Sequence, residues 1–286
     1  MSAVEVLRLP LTVDLSGFVA LLQRLEVPHR VSEEAGEQVL WVPGEQLAAE
    51  VRGLYKRFPE GDPEFQLAPA PRPAGGFVRQ LSDSPLTALM LLLTLLVAGV
   101  TLLGGNLAAI RWLSFQDFQV QGDYLLFTPL ADSLAAGQWW RLVTPMLLHF
   151  GVLHLAMNGL WYWELGRRIE ARQGGLALLA LTLLFSLASN VAQFGFGGAS
   201  LFGGLSGVLY GLLGHCWIFQ KLAPNAAYRL PPGVVTMLLV WLLICLSGLI
   251  DALGVGAIAN AAHIGGLLAG CITGLLGGAL ARQRQL

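Results

Sequence analysis

The chain has 286 residues, of which 12% are charged and 55% are hydrophobic, and its mean hydropathy is +0.64. A water-soluble domain of this length would carry about a quarter charged residues. The composition therefore predicts an integral membrane protein surrounded by the lipid bilayer. The formal net charge of −1 excludes a strongly basic surface, so no nucleic acid is expected as a partner.

Residues 1–66 are predicted to form a small soluble α+β domain. The alternation in Val4–Leu9 indicates a strand, and Asp14 is expected to cap the helix that follows it. A hairpin and a second amphipathic helix come next, with strands at Arg30–Ser32 and Gln38–Val42 and helical spacing through Leu47, Val51, Leu54 and Tyr55. Residues 67–83 are predicted to be a linker. The role of the domain stays open between membrane-surface binding, assistance to folding and a weak homodimer.

Six apolar stretches follow, and each is predicted to cross the membrane, which takes about 20 mostly apolar residues. They are Ser84–Ile110, Leu142–Trp163, two spans within Gln173–Gln220 that are separated by the glycine-rich Gly195–Gly204, Leu230–Ile250 and Ala252–Ala281. Residues 84–281 would thus form a six-helix membrane domain, and residues 282–286 a tail. The predicted fold class is an all-α polytopic membrane protein preceded by a small α+β soluble domain.

The distribution of basic residues predicts the orientation in the membrane. With a cytoplasmic N-terminus, the inner side would hold nine basic residues, namely Arg72, Arg79, Arg167, Arg168, Arg172, Lys221, Arg229, Arg282 and Arg284. The outer side would hold only Arg111 and Arg141, so both termini are expected to be cytoplasmic. The first outer loop, residues 111–141, is rich in aromatic residues and is expected to lie in the membrane interface.

A few polar side chains lie in the apolar stretches, where they are costly to place. His154, Ser206 and His263 are all predicted within about ten residues of the outer ends of spans two, four and six. His149, also placed in span two, is five residues from His154 and is expected to face another direction and brace the first loop. His215 is expected to be structural.

Residue spacing predicts which helix faces meet. His154 and Asn158 are four residues apart and share a face, as do Ser206 and Tyr210. Glycines recur every fourth residue in span four, at Gly207 and Gly211, and in span six, at Gly266, Gly270, Gly274 and Gly278. Such rows permit close helix packing, which would bring Ser206 within hydrogen-bond reach of His263. Packing alone is the competing interpretation of a serine in this glycine-rich setting.

These residues have the chemistry of an acyl-transfer site. A serine hydroxyl needs a base to take its proton, and histidine is the usual base near neutral pH. His154, Asn158 and the backbone N–H groups at the start of span four could donate to an oxyanion. Asp251 is the nearest acid in sequence but is not assigned to a triad, so a Ser206–His263 dyad is predicted. The three cysteines are too dispersed for a thiolate metal site and poorly placed for disulfides.

The motifs that carry these residues resemble those of the rhomboid intramembrane serine proteases. Gly204-Leu205-Ser206-Gly207 with Tyr210 is similar to the nucleophile motif, and His154-xxx-Asn158 to the element of the second span. The run Ala262-His263-Ile264-Gly265-Gly266 is similar to the motif of the sixth span, and Trp140-Arg141 to a pair in the first loop. The resemblance covers residues from about 84 to 281. With the N-terminal domain it indicates bacterial rhomboids of the GlpG type.

The resemblance implies a role for each residue. Ser206 would be the nucleophile and His263 the general base, while His154, Asn158 and the Ser206 backbone N–H would form the oxyanion hole. Tyr210 would support His263 by stacking, and Gly204 and Gly207 would frame the nucleophile. The substrates would be single-span membrane proteins, cleaved from the outer, periplasmic side of a bacterial inner membrane. The resemblance implies no metal and no cofactor. Trp241 in span five would either line a lateral opening or contact lipid.

Two other functions stay open. The chain could be a catalytically silent rhomboid-like protein that binds client helices. It could also be a small transporter or channel in which buried histidines form a proton path. A transporter or channel would not explain why glycines surround Ser206.

Overall fold

A computed structural model describes residues 3–61, 77–252 and 258–283 of the chain. The chain divides into two compact units, residues 1–75 and 76–286, which are described separately. Most of the predicted linker, the expected start of span six near Ala257, and residues 284–286 of the predicted tail lie outside the described residues.

The first unit is a three-stranded antiparallel sheet with two helices. Its elements are β1 (Ala3–Pro10), α1 (Ser16–Arg24), β2 (Arg30–Glu34), β3 (Glu37–Pro43) and α2 (Glu45–Arg57). The strand order is β1-β3-β2, and the apolar sides of α1 and α2 cover a core that includes Phe18, Leu40 and Val51. The predicted strands and helices are confirmed. Asp14, however, lies one residue before the N-cap position of α1, and its carboxylate accepts the backbone N–H of Ser16.

The second unit is mostly helical, with one short hairpin. Its helices are α3 (Phe77–Asp83), α4 (Pro85–Val100), α5 (Leu107–Leu113), α6 (Leu130–Ala135), α7 (Val152–Gln173), α8 (Gly175–Gly197), α9 (Ser206–Leu222), α10 (Val234–Leu246), α11 (Leu249–Ala252) and α12 (Asn260–Gln283). The hairpin strands, β4 (Phe118–Gln121) and β5 (Tyr124–Phe127), lie between α5 and α6.

The long helices α4, α7, α8, α9, α10 and α12 follow the order of the six predicted spans. Among the described residues, α8 and α12 are long and apolar enough to cross a membrane, and α4 and α10 are shorter apolar helices. Helix α7 carries several charged residues in its second half, and α9 has 17 residues. The count of six crossings therefore stays a prediction.

The predicted start of span two is wrong. Helix α7 begins at Val152, whereas the chain from Trp139 to Leu147 forms short 3₁₀ turns. Asn190 and Ser186 of α8 donate side-chain hydrogen bonds to the carbonyl oxygens of Leu142 and Val143, at 2.9 Å each. These bonds satisfy backbone groups that an irregular segment leaves unpaired, so the apolar chain need not be helical there.

Helix α9 lies at the centre of the second unit, with 11 of its 17 residues buried. By contrast, only Leu242 and Cys245 are buried in α10. Helix α12 packs along α9 through the predicted glycine rows. A Cβ atom built on Gly266 would collide with the carbonyl oxygen of Gly207, and one on Gly270 with that of Gly211. The predicted contact between the two glycine faces is confirmed.

Candidate active site

Three helices begin at the candidate site. Ser206 is the first residue of α9, His154 the third residue of α7 and His263 the fourth residue of α12. These positions are closer to the helix ends than the sequence pattern alone predicted. Because the N–H groups of the first turn have no partner within their own helix, and the helix dipole is positive there, the site favours developing negative charge.

Ser206 and His263 are joined by a hydrogen bond. The distance from Ser206 Oγ to His263 Nε2 is 2.8 Å, and His263 is buried. If the hydroxyl donates to Nε2, the neutral imidazole carries its hydrogen on Nδ1. Nδ1 is buried and has no hydrogen-bond partner among the protein atoms that the structure describes. The described residues thus bring together a pair, without a carboxylate on the far nitrogen of the histidine.

The aromatic ring of Tyr210 packs against the imidazole ring of His263. The ring centroids of Tyr210 and His263 lie 5.0 Å apart at an interplanar angle of 42°. The two rings are therefore in tilted contact, on the side of His263 where stacking by Tyr210 was predicted. The Tyr210 hydroxyl donates to the carbonyl oxygen of Leu238 in α10 at 2.9 Å. Because the hydrogen bond to Leu238 fixes the position of the Tyr210 ring, its contact with the imidazole limits the orientations that His263 can adopt.

His154 and Asn158 converge on Gly204, two residues before Ser206. A Cβ atom built on Gly204 would lie 2.6 Å from His154 Nε2 and 3.6 Å from Asn158 Nδ2. Gly204 has a φ of +119°, and its N–H donates to the carbonyl oxygen of Pro145. The Nδ2 atom of Asn158 is buried without a protein partner among the described residues. An amide donor and an imidazole nitrogen therefore face the backbone that precedes the serine.

A small cavity of about 10 Å³, which is about the room that one water molecule needs, lies beside the serine. Its lining includes Ser206, Met146, Phe202, Ser189 and Asn190. Ser189 Oγ is buried without a protein partner among the described atoms. The cavity has room for one water molecule next to the serine hydroxyl, and its polar wall offers that water hydrogen-bond partners.

The polar residues of α8 were not predicted as part of the site. Besides Ser186, Ser189 and Asn190, Gln193 contributes its Oε1 atom, which accepts the backbone N–H of Ala262 at 3.2 Å. Their spacing over one and two turns places them on one side of an otherwise apolar helix. The spacing of these four polar residues is present in the sequence, and it could have identified them as residues that line the site.

His149 does not lie in the span where it was predicted. It precedes α7, is 1% exposed, and its ring centroid is 4.9 Å from that of His154. The expectation that it faces away from His154 is therefore wrong. No contact in the described residues assigns a role to Trp241, which is half-exposed on α10, so its place at an opening stays a prediction.

His215 links three helices far from the serine. Its Nδ1 atom lies 3.0 Å from Thr273 Oγ1 in α12, and its Nε2 atom lies 2.8 Å from Gln173 Nε2 at the end of α7. The Thr273 hydroxyl donates to the carbonyl oxygen of Gly270. It therefore accepts from His215 Nδ1–H, and the Gln173 amide donates to His215 Nε2. These bonds are consistent with the structural role expected for His215.

The first loop is organised around a buried arginine. Arg141 is 2% exposed, and its guanidinium donates to the carbonyl oxygens of Arg111 and Ser114 at 2.6 and 2.9 Å. Trp140 Nε1 donates to the carbonyl oxygen of Trp112 at 2.9 Å. The Trp140-Arg141 pair thus ties the end of α5 to the turns before α7.

Asp117 completes the loop cluster. Its carboxylate accepts from Arg111 Nε at 2.6 Å and from the backbone N–H of Phe118 at 2.8 Å, and it lies 3.6 Å from Arg141 Nη2. The hydrogen bond from Arg111 holds the pKa of this carboxyl below its usual range. Two of the loop aromatics, Phe115 and Phe118, are buried, and the placement of the loop in the membrane interface stays a prediction.

Among the described residues, no group of three or more histidine, cysteine, aspartate or glutamate side chains could hold a metal ion. The chemistry available at the site is that of a hydroxyl, a base and hydrogen-bond donors.

The chain is similar to known proteins in both of its units. The Rhomboid N-terminal domain model matches residues 1–69, and the Rhomboid domain model matches residues 136–279, which is just over half of the chain. A rhomboid protease GlpG of Yersinia pestis is 37% identical over 188 residues, covering 66% of this chain and 61% of that protein. The chain thus matches about three-fifths of the length of this relative.

Further relatives include a rhomboid protease GlpG of Serratia proteamaculans, 42% identical over 157 residues, with 54% of this chain and 55% of that protein covered. A solved structure of the N-terminal domain of a rhomboid intramembrane protease from P. aeruginosa is 68% identical. It covers 24% of this chain and 100% of that chain, with a TM-score of 0.18. The match to the Rhomboid domain and the apolar helices describe an integral membrane protein with an N-terminal α+β unit. The chain belongs to the rhomboid family.

Proposed function

We propose that this protein is an intramembrane serine endopeptidase that uses a Ser206–His263 dyad. The observation that carries the proposal is the 2.8 Å hydrogen bond between Ser206 Oγ and His263 Nε2, at the starts of two helices held together by glycines. A structural serine would have no need of a buried imidazole at this distance. The relatives named rhomboid protease support the same class of reaction.

In the first half of the reaction, Ser206 Oγ attacks the carbonyl carbon of the scissile peptide bond. The hydroxyl proton passes to His263 Nε2, and the carbonyl oxygen becomes an oxyanion. When the tetrahedral intermediate collapses, the C–N bond breaks and His263 returns the proton to the leaving amine. The substrate carbonyl is then held as an ester on Ser206.

The oxyanion would be stabilised by His154, Asn158 and the backbone N–H of Ser206. His154 Nε2 and Asn158 Nδ2 both lie beside Gly204, and Asn158 Nδ2 has no protein partner among the described residues that would compete for it. Donors that are already in place lower the barrier, because they need no reorganisation as the charge develops.

In the second half, a water molecule attacks the ester while His263 takes its proton, and the serine is regenerated. The hydroxyl of Ser189 and the amide of Asn190 line the cavity next to Ser206 and could guide this water. A supply of water is needed because the hydrocarbon core contains none.

We further propose that both termini are cytoplasmic and that the site opens to the outer, periplasmic side of the inner membrane. The excess of basic residues on the predicted inner segments supports this orientation. The substrates would be single-span membrane proteins, cleaved where their transmembrane helix can unwind. A weak homodimer through the N-terminal unit is also part of the proposal.

The experiment is a cleavage assay with purified, detergent-solubilised full-length protein and a single-span substrate. Wild-type protein should cleave, and Ser206→Ala and His263→Ala should each abolish cleavage. Ser200→Ala and His29→Ala serve as matched controls. Ser200 bonds only locally to the carbonyl oxygen of Gly198, and His29 lies in the N-terminal unit.

Cleavage that survives Ser206→Ala would contradict the mechanism. Binding of the substrate helix by wild-type protein, with no cleavage under any condition, would instead favour a silent client-binding protein. Both controls should retain wild-type cleavage, which shows that the loss is specific to the dyad.

A further inference from the structure

We propose that His149 is a positioning residue that fixes the orientation and the tautomer of His154. This inference rests on the proposed function, because it concerns how the candidate oxyanion donor is held. His149 is 1% exposed, and its ring centroid lies 4.9 Å from that of His154 at an interplanar angle of 53°. The buried His149 and the half-buried His154 are therefore direct neighbours.

The hydrogen bonding of His149 defines its own tautomer. Its Nδ1 atom lies 3.1 Å from the carbonyl oxygen of Leu147. Because a carbonyl oxygen only accepts hydrogen bonds, Nδ1 carries the hydrogen, and Nε2 of the neutral ring holds a lone pair. Nε2 is buried and has no partner among the protein atoms of the described residues. A buried acceptor without a donor carries the full penalty of its lost hydration, so a donor at this atom would stabilise the folded protein.

The position of His154 defines which of its nitrogens must carry a hydrogen. The atoms of His154 nearest to the Gly204 Cβ position are Nε2 and Cε1, at 2.6 and 2.7 Å. The ring therefore presents its Nε2 edge to the backbone before Ser206. Only an N–H at Nε2 can donate to an oxyanion there, which leaves a lone pair on Nδ1 in the neutral ring.

Two adjacent acceptors can share one donor molecule. A water molecule carries two O–H groups, so one water at the edges of the two rings can donate one hydrogen to His149 Nε2 and the other to His154 Nδ1. That arrangement satisfies both lone pairs and holds the hydrogen of His154 on Nε2, where the oxyanion needs it. Without the acceptor on His149, such a water loses one partner, and His154 becomes free to rotate or to carry its hydrogen on Nδ1.

Full-length protein with ¹⁵N-labelled histidine, studied by NMR, tests this directly. The signals of His154 are identified from their loss in His154→Gln. In wild-type protein, His154 should have its hydrogen on Nε2. In His149→Phe, which keeps a ring but has no acceptor, the His154 signals should shift toward the Nδ1–H form. The kcat should fall about tenfold with KM unchanged, a smaller effect than the loss of an oxyanion donor.

His149→Gln is the matched variant, because its amide oxygen can still accept. It should keep the tautomer of His154 and most of the kcat. A wild-type His154 with its hydrogen on Nδ1 would overturn the proposal even if His149→Phe failed to fold. A folded His149→Phe with an unchanged tautomer and kcat would overturn it as well.

Labelling of Ser206 by a fluorophosphonate probe in wild-type protein separates this result from a failure of the proposed function. Wild-type protein that neither labels nor cleaves contradicts the function. If the probe labels Ser206 in wild-type protein, and His149→Phe leaves the tautomer of His154 and the kcat unchanged, only the role of His149 is contradicted.

Discussion

Gly266 of α12 lies directly against the carbonyl oxygen of Gly207 in α9, where no larger residue fits. Gly207 follows Ser206 in the chain, and Gly266 is three residues after His263. This contact between two backbones therefore sets the distance between the two helices at the level of the dyad. A 2.8 Å hydrogen bond between a short serine side chain and an imidazole requires helices this close.

Gly266→Ala should separate α9 from α12 and break the dyad. The added Cβ would collide with a backbone oxygen, which cannot rotate away as a side chain can. We expect cleavage to fall at least about 100-fold, and the Tm to fall as well. Gly195→Ala is the control, because a Cβ at this position of α8 meets nothing within 4 Å. Equal activity of the two variants would show that the close approach is not needed.

Gly204→Ala should disable the oxyanion donors. The new methyl group would lie 2.6 Å from His154 Nε2, in the space beside the oxyanion position. The loss of one such donor costs about 10²–10³ in kcat, and we expect an effect of that order. Gly198→Ala controls for backbone strain, because Gly198 also has a positive φ, of +71°, but its Cβ position is open. This control should lose stability while its cleavage per folded molecule stays near wild type.

Asn158 should act as a donor rather than as a packing residue. Asn158→Ala removes the buried Nδ2 group and should lower kcat by about 10²-fold with little change in KM. Asn158→Asp keeps the shape but replaces the donor by a carboxylate that repels an oxyanion. The aspartate variant should therefore be less active than the alanine variant at neutral pH. The reverse order, at equal folded fractions, would argue that Asn158 serves packing only.

Asp117 should make the stability of the first loop depend on pH. The hydrogen bond from Arg111 lowers the pKa of Asp117 in the folded protein, so the ionised carboxylate stabilises the fold. This contribution is complete above the unfolded-state pKa of about 3.9 and is lost as the pH falls through the lower folded-state pKa.

At pH 7, Asp117→Asn should therefore have a Tm a few degrees below wild type, and the difference should shrink as the pH is lowered below about 4. Asp123→Asn, an exposed change in the neighbouring hairpin turn, is the control and should keep the wild-type Tm at pH 7. A constant difference between wild type and Asp117→Asn at all pH values would rule out the ion pair as its cause.

The order of the helices and the contact between Ser206 and His263 could be predicted, because both depend on residue patterns within single helices. Apolar stretches of sufficient length predicted the long helices, and glycines at four-residue spacing predicted the contact of α9 with α12. The shared depth of Ser206 and His263 followed from counting residues from the ends of their spans. Each of these arguments needs only the spacing of residues along one helix.

The segment before α7 could not be predicted in the same way. Residues from Leu142 onward are as apolar as a membrane helix, yet the chain is irregular until Val152. Its form depends on bonds from Ser186 and Asn190, which lie more than 40 residues away in sequence. Hydropathy measures the cost of exposing side chains and carries no information about such distant partners. For the same reason His149 was placed in a helix and its contact with His154 was missed.

Covalent labelling tests the central claim, the Ser206–His263 dyad, most directly. Full-length protein is treated with a fluorophosphonate probe, digested, and the modified residue is identified by mass spectrometry. We predict a single adduct on Ser206 in wild-type protein and its loss in His263→Ala, while His29→Ala labels like wild type. An adduct on another serine, or equal labelling of Ser206 without His263, would contradict the account.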